Sequence, residues 1–163
     1  INDYPAIARE LGAEFCHLGQ EDFFGAGYTQ VSQLPLAAEP EKPPAGEGGG
    51  CRPRVRVGLS SASPDQARRA IAAGADYLGV GPVFPTGTKP TARAVTLEYV
   101  RWAAANIPAP WFAIGGINLE NVDEVLAAGA RRICVVSAIL AAPDPAAACR
   151  KFQQRLGRAA RQG

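Results

Sequence analysis

Methionine is missing from the 163-residue chain altogether, histidine occurs once (His17), and aromatic residues make up only 7% of the total. A chain that begins at Ile1 and holds no Met is expected not to begin at the start of translation. Residues 1–10, INDYPAIARE, carry neither a basic flank nor an apolar run, so a secretory leader is not expected there. Nowhere do about 18 apolar residues follow one another, the length a spanning helix needs, so no membrane partner is expected. Charge of one sign is also lacking: the net value is +2 and the basic residues form no long run, so nucleic acid is not an expected partner. The four cysteines, Cys16, Cys51, Cys134 and Cys149, show no C-x-x-C spacing. That pattern fits reduced thiols in the cytoplasm better than a disulfide or zinc framework. Cys16 and Cys134 fall inside apolar runs and read as small buried hydrophobes.

What the chain has in quantity is apolar residue, 47%, which at this length supports one core and gives no reason for two domains. Short apolar runs at 14–18 (EFCHL), 55–59 (VRVGL), 76–80 (DYLGV), 111–114 (WFAI) and 132–136 (RICVV) read as buried strands, with a further strand stub ending at Ile1. Helical patterns lie between them. Pro5 stands near the start of PAIARELG, Ser63 caps SPDQARRAIAAG with Pro64 in the first turn, and Asn118 caps NLENVDEVLAAG with Gly129 past its end. The phrase AAGADYLGV at 72–80 is echoed by AAGARRICV at 127–135, the mark of a repeated helix-to-strand unit. Strands separated by single helices are parallel, and continuously apolar strands need cover on both faces, which leaves a (β/α) barrel or a doubly wound sheet. The domain is expected to run over residues 1–156, followed by a basic tail at 157–163. Residues 37–54, AAEPEKPPAGEGGGCRPR, interrupt the alternation with Pro, Gly and charge and read as a flexible insertion.

Polar residues and glycines gather where the strands end. Asn2 and Asp3 follow the stub, and Asp22 follows the next strand in HLGQED. Two carboxylates one βα unit apart face one mouth of a parallel sheet and suit a hard cation such as Mg²⁺, although an Asp after a strand also serves as a helix cap. Ser60 ends VRVGL, and GPVFPTGTKP at 81–90 places Thr86, Thr88 and Lys89 on a stiff loop after DYLGV. Short hydroxyls beside an ammonium suit a phosphate. Gly115 and Gly116 end WFAI, and Ser137 opens a short helix stopped by Pro143, so backbone N–H groups from both are placed to meet an anion.

Taken in order, INDY, HLGQED, GLS, GADYLGVGPVFPTGTK, AIGGI and VVSAI resemble the thiamine-phosphate synthase family over nearly the whole chain except 37–54 and the tail. The resemblance implies a (β/α)8 TIM barrel whose first two βα units have no counterpart here, and hence a chain that is inactive by itself. It implies a Mg²⁺-dependent transferase that joins hydroxymethylpyrimidine diphosphate to thiazole phosphate, both small-molecule substrates, with release of pyrophosphate. It makes Asp3 and Asp22 the metal ligands and Lys89 and Ser60 the catalytic residues. Asn2, Ser60 and Lys89 would contact the pyrimidine diphosphate, and Thr86, Gly87, Thr88, Gly116, Val136 and Ser137 the thiazole phosphate. His17 reads as a structural histidine. Two alternatives stand beside this reading: a thiazole tautomerase of the same fold, and a phosphate-binding remnant without catalysis. Oligomeric state is left open.

Overall fold

The computed structural model describes residues 1–36, 54–87, 94–159 and 161. Five short strands form one sheet: β1 (Phe15–Leu18), β2 (Arg56–Ser61), β3 (Tyr77–Val80), β4 (Trp111–Ile114) and β5 (Ile133–Cys134). They lie side by side in chain order, and every pair is parallel. That order is singly wound. A doubly wound sheet reverses direction at a switch point, and these strands do not. Upstream of β1, Asn2 pairs with His17 in a parallel bridge, so the stub read from the sequence does lie against the wall.

Between the strands run α1 (Pro5–Glu10), α2 (Pro64–Ala72), α3 (Thr96–Asn106) and α4 (Val122–Ala127); α5 (Ser137–Leu140) and α6 (Pro145–Ala159) follow β5. Ser63 caps α2 as expected, its Oγ accepting the Gln66 N–H at 3.3 Å while Gln66 Oε1 accepts the Ala62 N–H at 2.7 Å. Asn118 does not cap α4 directly. Its Oδ1 accepts from the N–H groups of Glu120 and Asn121 and so closes a turn, and the helix begins only at Val122. Helix α6 continues through the expected boundary at 156/157 to Ala159. The expected insertion lies outside the described residues except for Arg54, which pairs with Asp76 at the start of β3.

Strand alternation separates two faces. Cys16, Leu18, Val57, Leu59, Leu78, Val80 and Ala113 are buried beneath helix residues such as Ala67, Ala70, Val100 and Val125. At about 25 cal/mol per Å² of apolar surface removed from water, this helix-facing side is the main stabiliser of the fold. The opposite face carries Phe15, His17, Tyr77 and Phe112, with Tyr77 at the centre: its ring lies 5.9 Å from Phe15, 5.6 Å from His17 and 5.7 Å from Phe112. Gly58, opposite Tyr77 in the register, makes this possible, since a Cβ there would stand 2.1 Å from Tyr77 Cζ. Among the described residues no helix is long and apolar enough to cross a membrane.

Candidate functional site

A cavity of about 380 Å³ opens at the carboxyl ends of the strands. Each strand supplies part of its wall: residues 19–22 after β1, 60–62 at the end of β2, Gly81, Pro82 and Thr86 after β3, 114–117 after β4, and 134–137 after β5. Of the residues singled out from the sequence, Asp22, Ser60, Thr86, Gly116, Val136 and Ser137 line it together. Asn2, Asp3 and Gly87 do not. Thr88 and Lys89 lie outside the described residues.

The loop after β1 is a single π-helical turn, Glu21–Gly25, a rare conformation that is frequent at functional sites. Asp22 is exposed on this turn, and its carboxylate folds back over Gly19, where a Cβ would stand 2.5 Å from Asp22 Oδ2. Asp3 sits at the end of the adjacent stub, its N–H donating to the His17 carbonyl at 2.8 Å and its carboxylate accepting from the Asn2 amide. Its φ of 62° is left-handed, which Asp tolerates better than most residues.

Ser60 is half-buried, and its Oγ lies 2.9 Å from His17 Nε2. Ser61 points to the helix face, where its hydroxyl donates to the Gly79 carbonyl and accepts from the Tyr99 hydroxyl, locking the end of β2 onto β3 and α3. Burial pushes the Tyr99 phenol upward, so it remains a neutral donor. The loop after β4 packs on the loop after β3. Val83 and Phe84 N–H groups donate to the Ile114 and Gly115 carbonyls at 2.9 and 3.1 Å. Gly116 has φ +65° and is so close to residues 84 and 85 that a Cβ would meet the Pro85 carbonyl at 2.6 Å. Asn121 then holds the Gly116 carbonyl through Nδ2 at 3.0 Å. Ser137 begins the one-turn helix α5, whose first N–H groups have no acceptor within the helix.

Cys134 departs from the sequence reading. It is half-buried and lines the cavity beside Ile114, its register partner, rather than filling the core as Cys16 does. Burial raises its thiol pKa, so it stands in the wall as a neutral group. Sequence reasoning also passed over His17 as a partner of Ser60, and passed over Gln20 and Asn121. The signal for His17 was present in its strand position two residues short of the cavity, but the cross-strand register that brings it to Ser60 was not.

Of the two carboxylates singled out from the sequence, Asp22 stands in the cavity wall with Glu21 beside it and Asp3 does not, and among the described residues no group of three or more His, Cys, Asp or Glu side chains is placed to hold a metal ion. Oxygen donors in this number suit Mg²⁺, which keeps several waters and takes one or two carboxylates together with substrate phosphate.

The family profile described as thiamine monophosphate synthase matches residues 48–139. A thiamine-phosphate synthase of Thermus thermophilus is 48% identical over 157 residues, covering 96% of this chain and 66% of the relative. One of Acidothermus cellulolyticus is 44% identical over 163 residues, covering 98% of this chain and 68% of the relative. Among solved structures, a thiamine phosphate pyrophosphorylase from Pyrococcus furiosus superposes with a TM-score of 0.73 at 32% identity, covering 97% of this chain and 66% of that one. The chain thus spans about two thirds of the length of these relatives.

Proposed function

The chain belongs to the thiamine monophosphate synthase family, and on that premise we propose that its cavity serves the coupling of hydroxymethylpyrimidine diphosphate with thiazole phosphate, giving thiamine phosphate and pyrophosphate. In this reading the singly wound wall is an arc of a (β/α)8 barrel, whose active sites sit at the carboxyl ends of the strands. One observation carries it: Asp22, Ser60, Thr86, Gly116, Val136 and Ser137, from the ends of five consecutive parallel strands, line a single cavity of about 380 Å³. That volume falls within the range of small-molecule sites.

The C–O bond of the pyrimidine diphosphate ionises, the departing pyrophosphate carries away the electron pair, and the thiazole nitrogen takes its place. The chain therefore has anionic charge to stabilise and no nucleophile of its own to supply. Bound Mg²⁺, held by Asp3 and Asp22, would neutralise the diphosphate. Asn2, Ser60 and Lys89 hold the pyrimidine diphosphate, with His17 fixing the direction of the Ser60 hydroxyl at 2.9 Å. Thr86, Gly87, Thr88 and the N–H groups of Gly116, Val136 and Ser137 take the thiazole phosphate, with the backbone of the glycine able to approach an anion where a side chain would obstruct it. The reaction is set in the cytoplasm, in keeping with the free thiols of Cys16, Cys134 and Cys149.

The test is a coupling assay on the complete protein with both substrates and Mg²⁺, following thiamine phosphate and pyrophosphate together. Stoichiometric appearance of both supports the reading. Thiazole phosphate binding without either product would replace it with the tautomerase or the non-catalytic alternative.

A further inference from the structure

The geometry points to Gln20 and Arg69 as a brace that positions the Asp22 turn against Ser60, and so sets the diphosphate end of the cavity. The inference rests on the coupling reading above. Ser60 lies one step past the last β1–β2 pair, Leu18 with Leu59, so its carbonyl has left the regular ladder. Gln20 Nε2 donates to that carbonyl at 2.5 Å, extending the ladder by one rung with a side chain. The other end of the same amide, Oε1, accepts from Arg69 Nη2 at 2.7 Å. A carbonyl only accepts and a guanidinium only donates, so a single orientation of the Gln20 amide satisfies both partners.

Arg69 makes a second contact on the same turn. Its guanidinium lies 3.8 Å from the centre of the Phe24 ring. The π-helical turn is therefore held at Gln20, before its first residue, and at Phe24, near its last, with Asp22 between them. Asp22 is exposed and gains no fixed position from burial. Phe23, the next residue, is fully buried and anchors the middle of the turn to the core, while the contacts at its two ends lead to α2 through Arg69 and, through Gln20, to the carbonyl of Ser60. One side chain thus couples the spacing of the proposed metal ligand to that of the diphosphate-contacting hydroxyl.

The experiment uses the complete protein as wild type, Gln20→Leu, Arg69→Leu and Arg69→Lys. Pyrophosphate binding with Mg²⁺, inorganic phosphate binding and backbone amide hydrogen exchange are measured on each. Losing a hydrogen bond at a charge-assisted site is expected to weaken Mg²⁺-dependent pyrophosphate binding about tenfold in Gln20→Leu, with a smaller loss in Arg69→Leu and partial recovery in Arg69→Lys. Inorganic phosphate binding should not change, and exchange should quicken in residues 19–25 while α4 stays protected. Unchanged exchange in 19–25 overturns the brace, as does equal loss of pyrophosphate and phosphate binding. If Gln20→Leu does not fold, the Arg69 pair decides by the same criteria. Quickened exchange in a protein whose wild type binds no pyrophosphate leaves the brace standing and overturns the coupling reading instead.

Discussion

His17 Nε2 and Ser60 Oγ meet at 2.9 Å between two neighbouring strands, on the sheet face turned away from the helices. The contact joins a residue of the aromatic row to a residue of the cavity wall. His17→Phe keeps a ring against Tyr77 and removes the nitrogen. In a double-mutant cycle with Ser60→Ala, chemical denaturation should give a coupling energy of about 0.5–1.5 kcal/mol. Additive losses would show that the two groups do not interact in solution.

Asp22 and Thr86 line the same cavity from loops on different strands and are assigned to different substrates. Asp22→Ala should lower Mg²⁺-dependent coupling by on the order of a hundredfold or more while leaving thiazole phosphate binding nearly intact. Thr86→Ala should do the reverse, raising the KM for thiazole phosphate with little change in Mg²⁺ requirement. Steady-state kinetics with each substrate varied separates the two, and matching losses in both variants would remove the two-site assignment.

Gly116→Ala meets two obstacles. The backbone is left-handed at φ +65°, costing a residue with a Cβ about 1–2 kcal/mol. The Cβ would also stand 2.7 Å from Phe84 Cβ. The loop after β3 must move outward to make room, carrying Thr86 with it. A lowered melting temperature together with weaker thiazole phosphate binding is expected, whereas a stable variant with unaltered binding would disprove the packing of these two loops.

Burial first, and then the nearby Cys16, Cys134 and Asp76, push the Tyr77 phenol up to about 12 from an ordinary value of 10.0. The unfolded chain then loses this proton at a lower pH than the folded one. Stability from this group is complete below about pH 10 and falls as pH rises towards 12. Cys16, Cys134 and Tyr99 are also raised and contribute in the alkaline range, so the difference between wild type and Tyr77→Phe isolates Tyr77. In denaturation curves from pH 9 to 12 the wild type should lose stability relative to Tyr77→Phe as pH rises. A constant gap across that range would contradict a raised phenol.

Local order was open to the sequence. Apolar runs such as WFAI became β4 at the expected bounds, and the Ser63-Pro64 start of α2 held, because strand burial and helix capping depend on neighbours a few residues away. The carboxyl-end positions of Asp22, Ser60, Thr86, Gly116 and Ser137 were legible for the same reason: parallel strands joined by helices put all their ends on one side. Tertiary structure alone decided between a singly and a doubly wound sheet, since both read as the same alternation of elements. It also decided register, and register is what brings His17 to Ser60, puts Tyr77 over Gly58 and turns Cys134 towards the cavity. Those pairings depend on shape complementarity between side chains far apart in sequence, and no local propensity or periodicity carries it. Gln20 illustrates the division: its place in HLGQED after an apolar run marks a loop, but only the approach of α2 and the end of β2 gives its amide the Ser60 carbonyl and the Arg69 guanidinium as partners.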